Sequence, residues 1–129
     1  MKRSSWICLI LLTILLSGCG KGFVPLGGKV TFEEDNSPLT TGVVCFSTET
    51  FMAEGRLDDQ GNYVLSSLSE KDGIPPGKYQ VYIQSATTTN EKERTIQLIH
   101  NKFTSPDSTP VSFEVKKGEK TFDFQVTKP

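Results

Sequence analysis

The chain has 129 residues, with 14 basic against 15 acidic side chains, one histidine and 36% hydrophobic residues. Its charges are scattered and no basic stripe is interleaved with aromatics, which excludes the electrostatic footprint of a nucleic-acid binder. The length suits one domain with a modest core, and a lone histidine leaves little material for acid–base catalysis.

Met1-Lys2-Arg3 is a short positive start. Trp6 to Leu16 is apolar apart from Thr13 and ends against the small Ser17 and Gly18 before Cys19. That is the layout of a secretion signal, and its apolar run is roughly half of the ~20 residues a membrane-spanning helix needs, which disfavours a retained transmembrane anchor. Leu16-Ser17-Gly18-Cys19 resembles the bacterial lipobox. The resemblance implies a diacylglyceryl group on the Cys19 thiol and cleavage just before it, so that residues 1–18 are a lipoprotein signal peptide and Cys19 becomes the acylated, palmitate-type N-terminus. The other reading is an ordinary signal peptide with an incidental cysteine. Each buried methylene contributes ~0.8 kcal/mol, so two or three acyl chains hold a protein firmly on its membrane. Gly20 stands where an aspartate favours inner-membrane retention in diderm bacteria, so the preferred address is the outer membrane, on its periplasmic face or at the cell surface. Cleavage leaves 129 − 18 = 111 residues and removes Lys2 and Arg3, so basic residues fall from 14 to 12 against 15 acidic ones and the charge becomes about −3.

Of the three cysteines, Cys8 leaves with the signal and Cys19 carries lipid, so Cys45 has no disulfide partner. In Gly42-Val43-Val44-Cys45-Phe46 it reads as a small apolar strand residue rather than a reactive thiol. Residues 19–28, with several glycines and a proline, read as a lipidated tether, and 29–129 as the folded domain.

Within that domain Lys29-Val30-Thr31-Phe32-Glu33 alternates, 34–38 is a polar turn cluster, and Val44 and Phe46 continue an inward face beside an apolar Val43. Asp58-Asp59-Gln60-Gly61 joins Leu57 to Tyr63 and Leu65 as a hairpin turn. Pro75-Pro76-Gly77-Lys78 predicts a type II turn, and from it Tyr79-Gln80-Val81-Tyr82-Ile83 alternates again. Ser85 to Lys92 is polar and threonine-rich. Arg94 to Phe103 fits neither period over its length and reads as an irregular connection that could hold one helical turn. Val111, Phe113 and Val115, then Lys117-Gly118-Glu119, then Phe122, Phe124 and Val126 predict a terminal hairpin. About seven short strands and no long helix indicate an all-β, antiparallel sandwich, transthyretin-like or immunoglobulin-like. The expected core is Val30, Phe32, Val44, Phe46, Leu57, Tyr63, Leu65, Tyr79, Val81, Ile83, Val111, Phe113, Val115, Phe122, Phe124 and Val126, and no cofactor or metal is needed to fold it.

Gly28-Lys29-Val30-Thr31-Phe32, Asp58-Asp59-Gln60-Gly61-Asn62-Tyr63 and Asp72-Gly73-Ile74-Pro75-Pro76-Gly77-Lys78-Tyr79-Gln80-Val81 occur in an order similar to small bacterial lipoproteins with a carboxypeptidase-regulatory-like, or transthyretin-like, domain. The chain departs from that pattern in its longer acidic turn at 33–37 and in 85–103. The resemblance implies a seven-stranded sandwich with no activity of its own, used as an accessory or presentation module.

The chemistry-bearing residues are few. His100 lies in the least regular segment, with no nucleophile motif beside it, and reads as a loop histidine. Asp58, Asp59 and Asn62 could suggest a calcium loop, but turn geometry alone explains them. Collagen-adhesin B-type repeats, of similar architecture, can join a first-strand lysine to a last-strand Asn or Asp. Lys29 and Asp123 occupy those strands, yet on the outward parity, where that reaction lacks its apolar pocket. Two functions follow. One is a non-catalytic structural or protein-interaction module of the envelope, membrane-bound through its lipid, with an envelope protein or a second copy as partner and no small-molecule ligand. The other is a carbohydrate-binding module, for which Tyr82, on the outward parity, and Phe51, in a loop, are the available aromatics.

Overall fold

Side chains that alternate along the sequence alternate in burial. Met52–Arg56 reads exposed, buried, exposed, buried, exposed, and Phe124–Val126 reads buried, exposed, buried. The computed structural model describes residues 22–67 and 72–129. Its strands are β1 (Gly27–Phe32), β2 (Val43–Ser47), β3 (Met52–Arg56), β4 (Asn62–Val64), β5 (Gly77–Gln84), β6 (Thr87–Thr89), β7 (Thr95–Gln97), β8 (Ser112–Val115) and β9 (Phe124–Val126). Seven of them form a sandwich, with β4-β1-β9 in one sheet and β3-β2-β5-β8 in the other, while β6 and β7 make a separate two-stranded hairpin. The architecture is the expected all-β sandwich. The pairs are antiparallel with one exception: β1 and β9 run parallel, Val30 opposite Phe124 and Phe32 opposite Val126.

The two sheets close over a shared aromatic centre. Phe46 of β2 touches Tyr63, Tyr79, Phe113 and Phe122 at centroid distances of 6.1 to 6.5 Å. Phe122 stacks between Phe113 at 4.2 Å and Phe124 at 5.5 Å. Such offset and edge-on contacts add to the stabilisation from area burial alone. All the expected core residues are buried except Val111, Phe113 and Phe122, which are half-buried and packed against the rest.

Four readings of local structure are corrected. The two expected hairpins are crossovers instead: β3 and β4 belong to different sheets, as do β8 and β9. The turn between β3 and β4 forms, with the Gly61 N–H donating to the Asp58 carbonyl at 3.1 Å, but among the described residues what joins the two segments beyond it is an isolated bridge between Glu54 and Ser66. At the chain's end β1 has an open side that takes β9, because Gly28 lets the Phe122 carbonyl come so close that a Cβ there would collide with it. The Tyr63 hydroxyl donates to that same carbonyl at 2.5 Å.

Third, the expected tether is docked from Val24 onward. Val24 exchanges backbone hydrogen bonds of 2.7 and 3.0 Å with Ile74, Leu26 accepts from the Leu65 N–H at 2.9 Å, and both side chains are buried. The packed domain therefore reaches back at least to Val24, ahead of the expected start at Lys29. Fourth, Gly77 has φ of 153°, wider than the ~+80° of a type II corner. The corner is tied instead by the Tyr79 hydroxyl, which donates to the Pro75 carbonyl at 2.7 Å.

The ambiguous segment resolves into both of its periods. Thr95–Gln97 is β7, Asn101–Thr104 is a single 3-10 turn, and Ile99 and Phe103 plug the core. Thr109 locks the return into β8, its hydroxyl donating to the Val81 carbonyl at 2.6 Å.

Candidate interaction surface

The residues on which the sequence placed chemistry do not converge. Cys19 and the signal segment lie outside the described residues. His100 is exposed, and its Nδ1 accepts from the Lys102 N–H at 3.1 Å, so the ring caps the 3-10 turn. Its own N–H donates to the Thr127 carbonyl at 2.8 Å, tying the turn to the end of β9. Asp58 spends one carboxylate oxygen on the turn, accepting from the Gln60 and Asn62 N–H groups at 2.8 and 2.9 Å. Those backbone donors, Asn62 first, hold its carboxyl below the usual carboxylate range.

Lys29 and Asp123 do meet, but through the wrong atoms for a side-chain cross-link. The Lys29 backbone N–H donates to the Asp123 carboxylate at 2.8 Å, both residues are exposed, and no ion pair joins their side chains among the described residues.

Tyr82 is buried, against its outward parity. It sits opposite Cys45, itself fully buried, and its hydroxyl reaches the Met52 sulfur at 3.5 Å. The sheet face that carries Cys45 is thus covered locally, and burial together with the Glu54 carboxylate pushes the Cys45 thiol up to about 12. Phe51 is half-buried and meets Phe23 edge-on at 6.5 Å. The aromatics that a sugar platform required are therefore absorbed into packing. Every buried side-chain polar atom among the described residues has a hydrogen-bond partner.

What the sequence missed is a groove of about 770 Å³ at the end of the sandwich where the chain enters. Phe23, Pro25 and Leu26 line one wall, Val64 of β4 the floor, and 117–121 the other wall. The walls are joined by the Gly27 N–H to the Lys120 carbonyl at 3.2 Å and the Phe122 N–H to the Gly27 carbonyl at 2.8 Å. Val64, about half exposed, is one of the large hydrophobics left open to water. Its alternation in Asn62-Tyr63-Val64-Leu65 marked it as outward, but nothing in that pattern said what stands over it. Lys29, Lys117 and Lys120 stand on the rim, with Glu119 and the already engaged Asp123.

No protein-family model matches the sequence, and no curated protein matches it. Two solved structures do resemble it in fold: the major pilin subunit BcpA of Bacillus cereus and a variant of that subunit. The superpositions have TM-scores of 0.52 and 0.53 at 12% and 14% identity and cover 83% and 82% of this chain. The chain corresponds to 30% of the pilin's length in each case.

Proposed function

We propose that this protein is a lipid-anchored, non-catalytic module of the bacterial envelope that presents a sandwich to a protein partner or to a second copy of itself. The lipobox-like Leu16-Ser17-Gly18-Cys19 carries the reading, because packed chain begins only a few residues later, at Val24. Val24 is five residues from Cys19, at most about 18 Å of extended chain, so an acyl group there would hold the domain against its membrane rather than on a long leash. His100 and Asp58 serve the turns in which they sit, and the buried polar atoms are satisfied, which supports a scaffold rather than a reaction site. The fold likeness to a major pilin subunit supports the same class of role. Within that class the chain reads as a transthyretin-like lipoprotein, exported and preferring the outer membrane.

The test is the intact mass of protein extracted from cell envelopes. The expected species begins at Cys19 and carries two or three acyl chains, and Cys19→Ala abolishes both the added mass and the membrane fractionation. An unacylated protein recovered in the soluble fraction refutes the anchor.

A further inference from the structure

We propose that the sandwich carries tension along β1, as a shear clamp between the membrane and a protein held at its far end. The membrane end of that role rests on acylation at Cys19, whereas the clamp is a property of the fold. The first and last strands of the domain run parallel and side by side, so the chain enters at the start of β1 and leaves past the end of β9, at opposite ends of one ladder. A pull on the two chain ends therefore slides these strands past one another. Antiparallel terminal strands would bring both ends to the same side, where the same pull opens the bonds one at a time.

The ladder is bonded from end to end. The Gly27 N–H donates to the Lys120 carbonyl at 3.2 Å, the Gly27 carbonyl accepts from the Phe122 N–H at 2.8 Å, and the Lys29 N–H donates to the Asp123 carboxylate at 2.8 Å. The strand pairing then runs from Val30 opposite Phe124 to Phe32 opposite Val126, and the Glu33 N–H closes it on the Val126 carbonyl at 2.9 Å. On its other edge β1 pairs with β4 over 27–29, and that row is extended by the Leu65 N–H to the Leu26 carbonyl at 2.9 Å and the Val30 N–H to the Gly61 carbonyl at 3.0 Å. These bonds cross the direction of pull, so withdrawing β1 along its axis has to break both rows together.

Packing removes the partial slips that would let the rows fail in turn. Leu26, Val30 and Phe32 are buried on the inward face of this stretch. A slide of one residue would send them to the outer face, so the next matching register lies two residues away, about 7 Å, beyond the reach of any of these hydrogen bonds. The exit is fastened in line with the ladder. The His100 N–H donates to the Thr127 carbonyl at 2.8 Å, and the Lys128 N–H donates to the Glu34 carboxylate at 3.0 Å, just past the end of β1. Tension arriving at the far end thus enters β9 along its own axis.

The experiment pulls single molecules of the full chain in optical tweezers, with Cys8 and Cys19 replaced by serine; Cys45 is fully buried and takes no handle. In one geometry the handles are tags on the two chain ends. In the other they are the N-terminal tag and Lys117→Cys, exposed in the turn before Lys120, so that both points lie at the entry end and the bond between Gly27 and Lys120 is stressed first. At one loading rate the two-end pull is expected to unfold the domain in a single step, at a force several-fold above that of the peeling pull. The Lys117→Cys protein pulled by its two ends is the control, expected to match the parent chain. Asp123→Ala is expected to lower the two-end force and to leave the peeling force unchanged. Equal forces in the two geometries, or a two-end pull that yields in a series of low-force steps, overturns the clamp while leaving the anchor intact. Envelope protein without acyl mass overturns the role as a link to the membrane, whatever the forces.

Discussion

Leu26→Ala separates a docked N-terminal segment from a free one. Leu26 is 2% exposed, touches the core cluster and continues into β1, although it lies in a stretch whose glycines and proline read as a linker. Leu-to-Ala truncations in packed cores cost about 2–5 kcal/mol, from lost transfer energy plus the cavity left behind. Leu26 lies at the end of the sandwich against the open groove, so its surroundings can partly collapse, which places the expected loss near 3 kcal/mol. With a urea m-value of about 1.5 kcal/mol/M for a domain of this size, the midpoint falls by about 2 M. Circular dichroism at increasing urea reads this directly, with m unchanged if both proteins unfold in two states. A residue in a solvated leash would move the stability by no more than about 0.5 kcal/mol, a shift of ~0.3 M. Ile96→Ala, on the exposed hairpin, is the control expected to give that small shift. A Leu26→Ala midpoint indistinguishable from the control would refute the docking of the segment and, with it, the short reach from lipid to domain.

Tyr63→Phe keeps the ring but leaves the Phe122 carbonyl without its buried donor; the expected loss of about 1–3 kcal/mol lowers the melting temperature by several degrees or more, and an unchanged or higher value speaks against that bond. The Cys45 thiol, with Cys8 and Cys19 replaced by serine, is expected to resist a thiol reagent at pH 8 until the protein unfolds, and stoichiometric labelling of the native state within minutes contradicts its burial. Because the folded pKa is raised to about 12 above an unfolded value of about 8.5, the thiol's contribution to stability is complete below about pH 8.5 and is lost as pH rises toward 12. Cys45→Ala is expected to flatten that alkaline decline in urea titrations, and an unaltered slope counts against it. Asp58 has the opposite sign: its folded pKa is depressed, so its contribution is present above the unfolded value of about 3.9 and disappears as pH falls through the folded one. Asp58→Asn is expected to flatten part of the acid limb of the stability curve, and an identical acid limb rejects that coupling.

Alternation along the sequence was enough to read the strands, the inward residues and the sandwich class, because a period of two reports one buried face whatever sheet a strand joins. For the same reason it could not say which sheet that was. Val111 to Val115 and Phe122 to Val126 alternate equally well as a hairpin and as members of opposite sheets, and the choice turns on a carbonyl that only Gly28 admits. Parity also fails where a second layer covers the outer face. Tyr82 and Cys45 bury each other across β5 and β2, and Val43 and Val44, apolar on both faces, were the visible sign that this strand is covered twice. In the N-terminal stretch Val24 and Leu26 do alternate, but two apolar residues around Pro25, with glycines on either side, are too few to mark a strand. Ile99 and Phe103, four apart, came close to revealing the 3-10 turn they anchor.

The parallel pairing of β1 with β9 places the last residues of the chain beside the end of β1. Both strands run the same way, so β9 carries the chain away from the groove toward the end where the acidic turn of 33–35 stands. The Lys128 N–H donates to the Glu34 carboxylate there at 3.0 Å, fastening the last residues to that turn. β5 ends beside the start of β2, Gln84 opposite Val43, and so delivers the β6–β7 hairpin to this end as well. The hairpin carries Ile96, another of the large hydrophobics exposed among the described residues, above a turn in which Asn90 accepts from the Lys92 and Arg94 N–H groups at 2.9 Å. Along β1 the molecule is therefore asymmetric, with chain entry and groove at one end and acidic turns and a projecting hairpin at the other. Under the anchoring proposed above the opposite end is the one left free, and Ile96, beside Thr95 and opposite Thr88, is the exposed apolar side chain of its hairpin.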